Sequence, residues 1–517
     1  MRLSFTSLIL AALVGFSCAG QLGEPALELG FAPRALDGPC PEEAQPAAAP
    51  PTLDQLEISL LRGSGEVVAN KKVSINGRDT VTLGGLPAGE GLEIELVGWQ
   101  NGSPAWLGGA RQIDIVEGKE SRAQVFMTAA GGVSCALRPM DAPRALMASA
   151  TLPDGRVLLA GGVENPDLAP CAGNCPFLQA TNRVEGFDPR NGLVYPLERL
   201  NRPRALASAT VLQNGWVLVV GGASRLRRGQ NSGLPFDIQP EDLVLSFEVY
   251  IPERGVWIER PLPEGLVYHS ATLLNDGRVL LAGGGTALSR EKASNRAYLY
   301  TPTAGWPGEI SEVSSRMASE RLGQAAVLMP TGNVLLLGGA LVPNLGFVEQ
   351  FTPSEKDGVF FVRETSGTAV NLFFSAAHII PLRPDEILLA GGAASDGRSL
   401  IAPSREYIWI LSRISTGSVY FTTQAPMNGP RFWSSLLPVM GDRLLLVGGY
   451  SSLDLEGNQT VELFDPLGTL TPAGSLSSPR GAGALATLAG GRVLAVGGWN
   501  GTSCIRSAEI ISPPLAP

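Results

Sequence analysis

The sequence predicts an all-β protein in which a small β-sandwich precedes a long set of similar repeats. The chain of 517 residues contains 63 glycines and 40 prolines, and each glycine in a helix interior costs about 1 kcal/mol. Residues 53–130 contain short apolar runs of period two, which is typical of half-buried strands. Residues 131–517 contain one strand-turn-strand segment seven times. These observations together indicate a β-rich repeat fold.

The N-terminal segment has the layout of a secretory signal, with an apolar core at residues 8–16 followed by small residues. Cys18 lies after this core and resembles the lipidated cysteine of bacterial lipoproteins, although Gly15 stands where those proteins usually have leucine. We therefore expect residues 1–18 to be a lipoprotein signal with the lipid on Cys18. Ordinary signal cleavage without lipidation is the alternative.

Residues 19–52 are rich in proline and alanine, a composition that favours an extended linker. Ala19, and not an aspartate, follows the cysteine, which by resemblance to lipoproteins favours the outer membrane. The protein is therefore expected to be exported, in the periplasm or on the cell surface, and to contact the membrane through its lipid anchor only. Without a lipid on Cys18 it would be secreted.

Residues 53–130 predict the small β-sandwich. Turn residues such as Gly84 and Gly85 separate half a dozen short strands, which include LEISLL, TVTL and LEIELVGW. This region contains no motif typical of catalysis, so we expect it to serve as a spacer or packing module.

The repeated segment consists of a strand, a tight turn, a second strand and a Gly-Gly pair, as in ASATVLQNGWVLVVGG and HSATLLNDGRVLLAGG. Apolar runs such as VLVV suit strands that are buried on both faces. A second motif follows in most copies, with the pattern Val-Glu-x-Phe-x-Pro, and its fifth copy near Glu406 is degraded. The pairs begin at Gly161, Gly221, Gly283, Gly338, Gly391, Gly448 and Gly497.

The double glycine, the later aromatic residue and the outer strand together resemble the kelch repeat across residues 131–517. Kelch repeats form β-propellers with one four-stranded blade per repeat, so the resemblance implies a seven-bladed propeller. The last copy lacks a fourth strand, whereas residues 133–144, before the first copy, have the pattern of one. We expect this N-terminal strand to complete blade seven and to close the ring.

Cysteines outside the signal suggest disulfides, which an exported protein can form. Cys171 and Cys175 lie close together in a long loop of blade one and are expected to pair with each other. Cys135 and Cys504 both belong to blade seven, but the predicted register separates them by five residues along the strands. A bridge between them and a bridge from either to Cys40 are both open.

Arginine opens the innermost strand in five repeats, and Leu266 and Leu372 take this position in the other two. Equivalent positions face one another around a propeller axis, and in ligand-binding kelch domains arginine here lines the recognition face. Because arginine binds carboxylates well, we expect a ligand site at one mouth of the channel. The alternative is pairing with carboxylates or carbonyls inside the framework. The five residues are Arg144, Arg204, Arg321, Arg431 and Arg480.

The chain has two histidines, His269 and His378, and both are expected to have packing roles. The copper radical oxidases resemble this chain in having a seven-bladed kelch core, and they require two histidines and two tyrosines around copper. Neither histidine here belongs to a late pair in a loop. We therefore expect no copper, no other metal and no cofactor.

The net charge of −9 and the lack of a basic run argue against nucleic acid as a partner. The expected function is a non-enzymatic, monomeric module that binds a protein or a glycan or acts as a scaffold in the cell envelope. The alternative is a carbohydrate-active enzyme in which the arginines hold an acidic sugar, so enzymatic activity stays open.

Overall fold

The computed structural model describes residues 26–32, 40, 52–76, 78, 80–164, 175–229, 233–303, 306–341, 348–367, 371–395, 399–403, 407–412, 414 and 418–515. Cys18 and Cys171 lie outside these ranges, although Cys175 is disulfide-bonded. The described residues form β-strands, turns and loops, with one 3-10 turn at Pro240–Asp242. No helix in this part of the chain is long and apolar enough to cross a membrane.

The small N-terminal domain consists of two sheets around one apolar core. Its three-stranded sheet has the order Thr80–Gly84, Ala26–Ala32 and Glu120–Phe126. Its five-stranded sheet has the order Val67–Ser74, Gln55–Leu61, Gly89–Gln100, Ser103–Ile115 and Thr128–Ala129. Alternate residues of the longer strands are buried, as the period-two pattern predicts.

The expectation of a continuous linker at residues 19–52 is wrong for Ala26–Ala32. This segment is the central strand of the three-stranded sheet, where it pairs antiparallel with Thr80–Gly84 and parallel with Glu120–Phe126. Leu27 and Leu29 are fully buried in the domain core. In ALELGFA, apolar residues alternate with small or charged residues, which is the pattern of a half-buried strand. The surrounding prolines and alanines made this short pattern hard to recognise in the sequence.

Seven further sheets form the propeller. From the channel outward, blade 1 consists of Ala148–Thr151, Val157–Ala160, Val184–Asp188 and Leu193–Leu197, blade 2 of Ser208–Val211, Val217–Val220, Ser246–Ile251 and Val256–Pro261, blade 3 of Ser270–Leu273, Val279–Ala282, Ala297–Thr303 and Trp306–Glu312, and blade 4 of Ala325–Leu328, Val334–Leu337, Val348–Pro353 and Gly358–Val362.

The remaining blades have the same arrangement, and blade 5 carries Thr365–Gly367 as a fifth, outermost strand. Blade 5 consists of Ala376–Ile380, Arg383–Ala390, Tyr407–Ser412 and Val419–Pro426, blade 6 of Ser435–Val439, Arg443–Val447, Thr460–Phe464 and Leu470–Ser475, and blade 7 of Ala484–Leu488, Arg492–Val496, Ala508–Ser512 and Gly132–Cys135. Short loop strands lie at Arg144–Ala145, Val163–Glu164, Leu178–Gln179, Arg225–Arg228, Phe236–Asp237, Ala393–Ser395 and Leu400–Pro403.

The ring closes as the sequence predicts. Gly132–Cys135 pairs antiparallel with Ala508–Ser512, and Cys135 lies opposite Glu509. Each innermost strand contacts the next around the ring, and the strand of blade 7 contacts that of blade 1. Closure gives blade 7 its fourth strand and brings the innermost strands of the first and last blades into contact.

The Gly-Gly pairs allow neighbouring blades to approach closely. Gly161 has a φ of +66°, and a Cβ at this position would lie 2.1 Å from the backbone oxygen of Arg204 in the next blade. No other residue combines this backbone conformation with the absence of a Cβ. The pair therefore fixes the distance between adjacent blades.

A disulfide bond joins Cys40 to Cys135 on the closing strand, which answers the question that the sequence left open. Cys504 is a free, buried thiol. The small domain contacts the same blade directly, because Arg492 Nη1 donates to the backbone oxygen of Phe126 at 2.6 Å. Disulfide bonds are typical of exported proteins.

The disulfide predicts a stability effect. Cys135→Ser should lower the free energy of unfolding by about 2–4 kcal/mol, because the cross-link restricts the unfolded chain. Chemical denaturation under oxidising conditions measures the change. Cys504→Ser removes a thiol of similar burial without breaking a cross-link and is the control. Equal stability of Cys135→Ser and Cys504→Ser would contradict a bond between Cys40 and Cys135.

Candidate functional site

The five arginines predicted to line the channel mouth are buried inside their blades, with at most 2% of each residue exposed. Each guanidinium forms an ion pair with a glutamate on the third strand of its own blade, and in four pairs the Nη2–Oε distance is 2.5–2.6 Å. The guanidiniums therefore do not face a ligand site at the channel mouth, as was expected. They pair with carboxylates inside the framework, which was the alternative. The pairs are Arg144–Glu185, Arg204–Glu248, Arg321–Glu349, Arg431–Glu462 and Arg480–Glu509.

The Arg204–Glu248 pair shows how these residues hold a blade together. Arg204 Nη1 donates to the backbone oxygen of Gly221 at 2.8 Å, and Glu248 accepts from the backbone nitrogens of Asn201 and Arg202. Burial lowers the pKa of Arg204, and the Glu248 carboxylate opposes this shift. The pair satisfies most of the buried polar groups before the inner strand, although Arg204 Nε has no hydrogen-bond partner in the described structure. Its role is therefore in the framework.

The sequence contains a signal for this pairing. The second motif has glutamate in the five repeats that begin with arginine. The other two repeats have Leu266 with Tyr298 and Leu372 with Trp409 at the corresponding positions. Arginine and glutamate thus occur together or are replaced together by apolar and aromatic residues, which is what a buried ion pair requires.

Two residues after the arginine position, and two residues before each inner strand begins, one residue has a left-handed backbone conformation. Six of the seven are not glycine, and several are bulky side chains for which this conformation is costly. These residues form a ring around the channel, which we call the neck. The neck consists of Leu146, Leu206, Tyr268, Gly323, Phe374, Trp433 and Ala482, with φ between 48° and 60°.

Backbone hydrogen bonds run from blade to blade around the neck. The amide of Phe374 donates to the oxygen of Gly323 at 2.6 Å, and the amide of Trp433 donates to Phe374 at 2.8 Å. Equivalent bonds join Leu146 to Ala482 and Leu206 to Leu146. This belt keeps the left-handed conformations in place and points the side chains toward the axis.

Three aromatic side chains of the neck form a cluster. The rings of Phe374 and Trp433 stack with centroids 5.1 Å apart and an interplanar angle of 22°. Tyr268 contacts Phe374 edge-on at 5.4 Å. Gly323 makes room for this cluster, since a Cβ there would lie 2.8 Å from the Phe374 ring.

A cavity of about 320 Å³ lies against the neck. Its wall contains side chains from all seven blades, and the lining residues include no Asp, Glu, Lys or Arg. Four lining residues have a buried polar atom without a hydrogen-bond partner in the described structure, and an unsatisfied group of this kind is costly. These atoms are His269 Nδ1, Gln324 Oε1, Ser375 Oγ and Ser434 Oγ.

His269 is the titratable imidazole of the cavity wall. Its Nε2 lies 2.9 Å from Ser208 Oγ, also in the wall. Burial lowers the pKa of His269 to about 4. The ring is therefore neutral at physiological pH and retains a nitrogen lone pair.

A loop of blade 2 covers the end of the channel at which the inner strands begin. Leu226, Leu234 and Phe236 of this loop are buried in one apolar cluster with the neck residues Tyr268 and Phe374. The Phe236 ring lies 6.3 Å from Trp433, and its backbone oxygen accepts a hydrogen bond from Tyr268 at 3.4 Å. The loop thus forms part of the core and closes this end.

Part of the chain is similar to known oxidases. It is 26% identical to galactose oxidase from Gibberella zeae over 215 residues, which are 40% of this chain and 30% of that protein. The chain thus spans less than a third of the length of this relative. No family model matches the chain.

Two solved structures resemble the fold. A fungal alcohol oxidase of the AA5 family, in complex with copper, has a TM-score of 0.54 and 17% identity, over 72% of this chain and 75% of that chain. YjhT has a TM-score of 0.45 and 14% identity, over 65% of this chain and 98% of that chain. The sheets and the likeness to the AA5 oxidase show a β-propeller fold.

The donor groups of this chain do not fit a copper centre with two histidines. His269 lies in blade 3, whereas His378 lies in blade 5 with Nδ1 2.7 Å from the backbone oxygen of Ile379. The two imidazoles thus belong to blades that are not neighbours. Within the described residues, no three His, Cys, Asp or Glu side chains form a group that could hold a metal.

Removing one partner of a buried ion pair should strongly lower the stability of the protein. Arg321→Met should lower the free energy of unfolding by about 3–5 kcal/mol, because it leaves the Glu349 carboxylate buried without its partner. Thermal and urea unfolding measure the loss. The exposed pair Arg62–Glu66 provides the control, since Arg62→Met should cost less than about 1 kcal/mol. Similar losses in both variants would contradict a framework role.

His269 should titrate near pH 4. In a His378→Gln variant it is the sole histidine, so its ring proton resonances can be followed by NMR. Because its pKa in the folded state lies below the usual 6.5, the unfolded chain binds more protons between these values. This contribution to stability is complete above about pH 6.5 and is lost as the pH falls toward 4. A titration midpoint near 6.5 would contradict the burial of the imidazole.

Proposed function

We propose that this chain is a carbohydrate-active protein that takes one sugar ring into the cavity beside the neck. The observation that carries the proposal is the joint presence of stacked aromatic rings and unpaired polar atoms around one cavity. A sugar has an apolar ring face and a rim of hydroxyl groups. The Phe374–Trp433 pair suits the face, while His269, Gln324 and Ser434 suit the rim.

The size and charge of the cavity favour a small neutral sugar. Its volume of about 320 Å³ is near the lower end of the range for small-molecule sites. The five arginines that were expected to hold an acidic sugar are engaged with glutamates. The described lining residues therefore offer hydrogen bonds and aromatic faces to the ligand.

Similarity to galactose oxidase supports carbohydrate as the ligand class and favours an enzyme over the scaffold predicted from the sequence. His269 is the titratable group in the cavity wall. Its pKa of about 4 keeps the ring neutral and makes it a weak base, so its role is to orient a sugar hydroxyl. Its Nε2 lies 2.9 Å from Ser208 Oγ, which leaves Nδ1 to form a hydrogen bond with that hydroxyl. Binding without turnover is the second candidate, which the poor fit to copper favours.

The proposed place of action is the cell envelope. The Cys40–Cys135 disulfide supports export. We propose that Cys18 carries the lipid and that the protein works as a monomer at the outer membrane, in the periplasm or on the cell surface.

Trp433→Ala should weaken galactose binding about tenfold or more, because it removes the larger ring of the stack. Calorimetry with galactose, glucose and their uronic acids measures affinity, and mass spectrometry of the same mixtures detects any product. Phe361→Ala, at an exposed aromatic side chain of blade 4, is the control. Loss of product with retained binding in His269→Gln would support the enzyme.

Two results would contradict the proposal. One is equal galactose affinity in Trp433→Ala and the unaltered protein. The other is no binding of any of these sugars at millimolar concentration by a folded protein, as judged by circular dichroism.

A further inference from the structure

Because the blade-2 loop covers one end of the channel, a ligand can reach the cavity from the other end. The cavity lies at the beginnings of the inner strands, and the loop core covers it on that side. A ligand must therefore come from the opposite end, where the inner strands turn back. The small domain lies beside this end, because a Cβ at Gly109 would lie 2.6 Å from the backbone nitrogen of Gly490 in the inner turn of blade 7.

Hydroxyl side chains follow this route on three neighbouring blades. The Ser-Ala-Thr triplet that recurs in the first three repeats forms part of the inner strands, and all six of its hydroxyl-bearing residues are half-buried. Partial exposure on an innermost strand indicates contact with the channel interior. We call these residues the hydroxyl track, which consists of Ser149, Thr151, Ser208, Thr210, Ser270 and Thr272.

Along the inner strands, the hydroxyl track lies between two cavities. Ser208 lines the cavity at the neck. Beyond the other end of the track, a groove of about 250 Å³ lies between the small domain and blades 1 and 2. From Met147 in the cavity to Leu152 in the groove is five strand residues, or about 16 Å. That distance exceeds a single sugar ring.

The groove itself is polar and exposed. Gln112 of the small domain, Asp154 and Arg156 of blade 1, and Asn214 and Glu253 of blade 2 line it. Gln112 has a φ of +53°, a conformation that is uncommon for residues other than glycine and often occurs at functional sites. Amide, carboxylate and guanidinium groups together can bind the hydroxyls of a neutral sugar.

We infer that the ligand is a glycan chain, whose terminal sugar occupies the neck cavity while the following units lie along the hydroxyl track and in the groove beside the small domain. This inference rests on the proposed function. It assigns the small domain a part in binding, in place of the spacer role expected from the sequence. The ligand class is then a neutral oligosaccharide or the end of a polysaccharide.

Chain-length dependence of binding tests the inference. The probes are galactose and galactan oligosaccharides of two to five units, measured by calorimetry with the full chain. We expect affinity to rise with length in the unaltered protein. Combining Gln112→Ala, Glu253→Ala and Thr210→Val should lower the affinity ratio of the pentasaccharide to galactose about tenfold, because several hydrogen bonds are lost.

The control is Glu291→Ala, in a separate groove of about 420 Å³ on blade 3, which should leave the ratio unchanged. Equal affinity for galactose and the pentasaccharide would overturn the inference, as would an unchanged ratio in the triple variant. Galactose binding that depends on Trp433 but gains nothing from chain length would reject the glycan chain alone. Galactose binding that is independent of Trp433 would reject the proposed function itself.

Discussion

The closure of the ring is the constraint on which the rest of the structure depends. Seven sheets enclose a channel because Gly132–Cys135 supplies the outer strand that the last repeat lacks. Without this pairing, the first and last blades would separate and expose strand edges. The neck, the cavity and the hydroxyl track all contain side chains from several blades, so their geometry depends on the closure of the ring.

Two features of the blades determine the shape of the channel inside the closed ring. The buried Arg–Glu pairs anchor the start of the inner strand in five blades, and the Gly-Gly pairs let the adjacent blade approach this point. Immediately afterward the chain adopts a left-handed conformation, which turns one side chain per blade toward the axis. Large residues at Tyr268, Phe374 and Trp433 then create an aromatic cluster on one side. The energetic cost of these conformations is balanced by the surrounding framework, as is common at functional sites.

Much of the fold was predictable because aligned repeats adopt the same structure, so each copy supports the assignment of the others. The number of blades, the closing strand and the position of Cys135 opposite Glu509 followed from aligning the repeats. The strand Ala26–Ala32 was missed because a single short alternation lies in a proline-rich region. The arginines do not face a ligand site as expected; they pair with the glutamates of the second motif, which is the alternative that the sequence also allowed. The cavity was harder to predict, since its lining residues are far apart in the sequence and the blade-2 loop that covers it lies outside the repeated motifs.

The disulfide between Cys40 and Cys135 has a consequence for the order of assembly. The closing strand is synthesised soon after the small domain, whereas its partner Ala508–Ser512 is synthesised last. Contacts between such distant segments form slowly, because a long loop must close first. The small domain can fold early, and the covalent bond then holds the waiting strand beside it. Completion of the propeller thus depends on an N-terminal strand that is kept in readiness while six blades form.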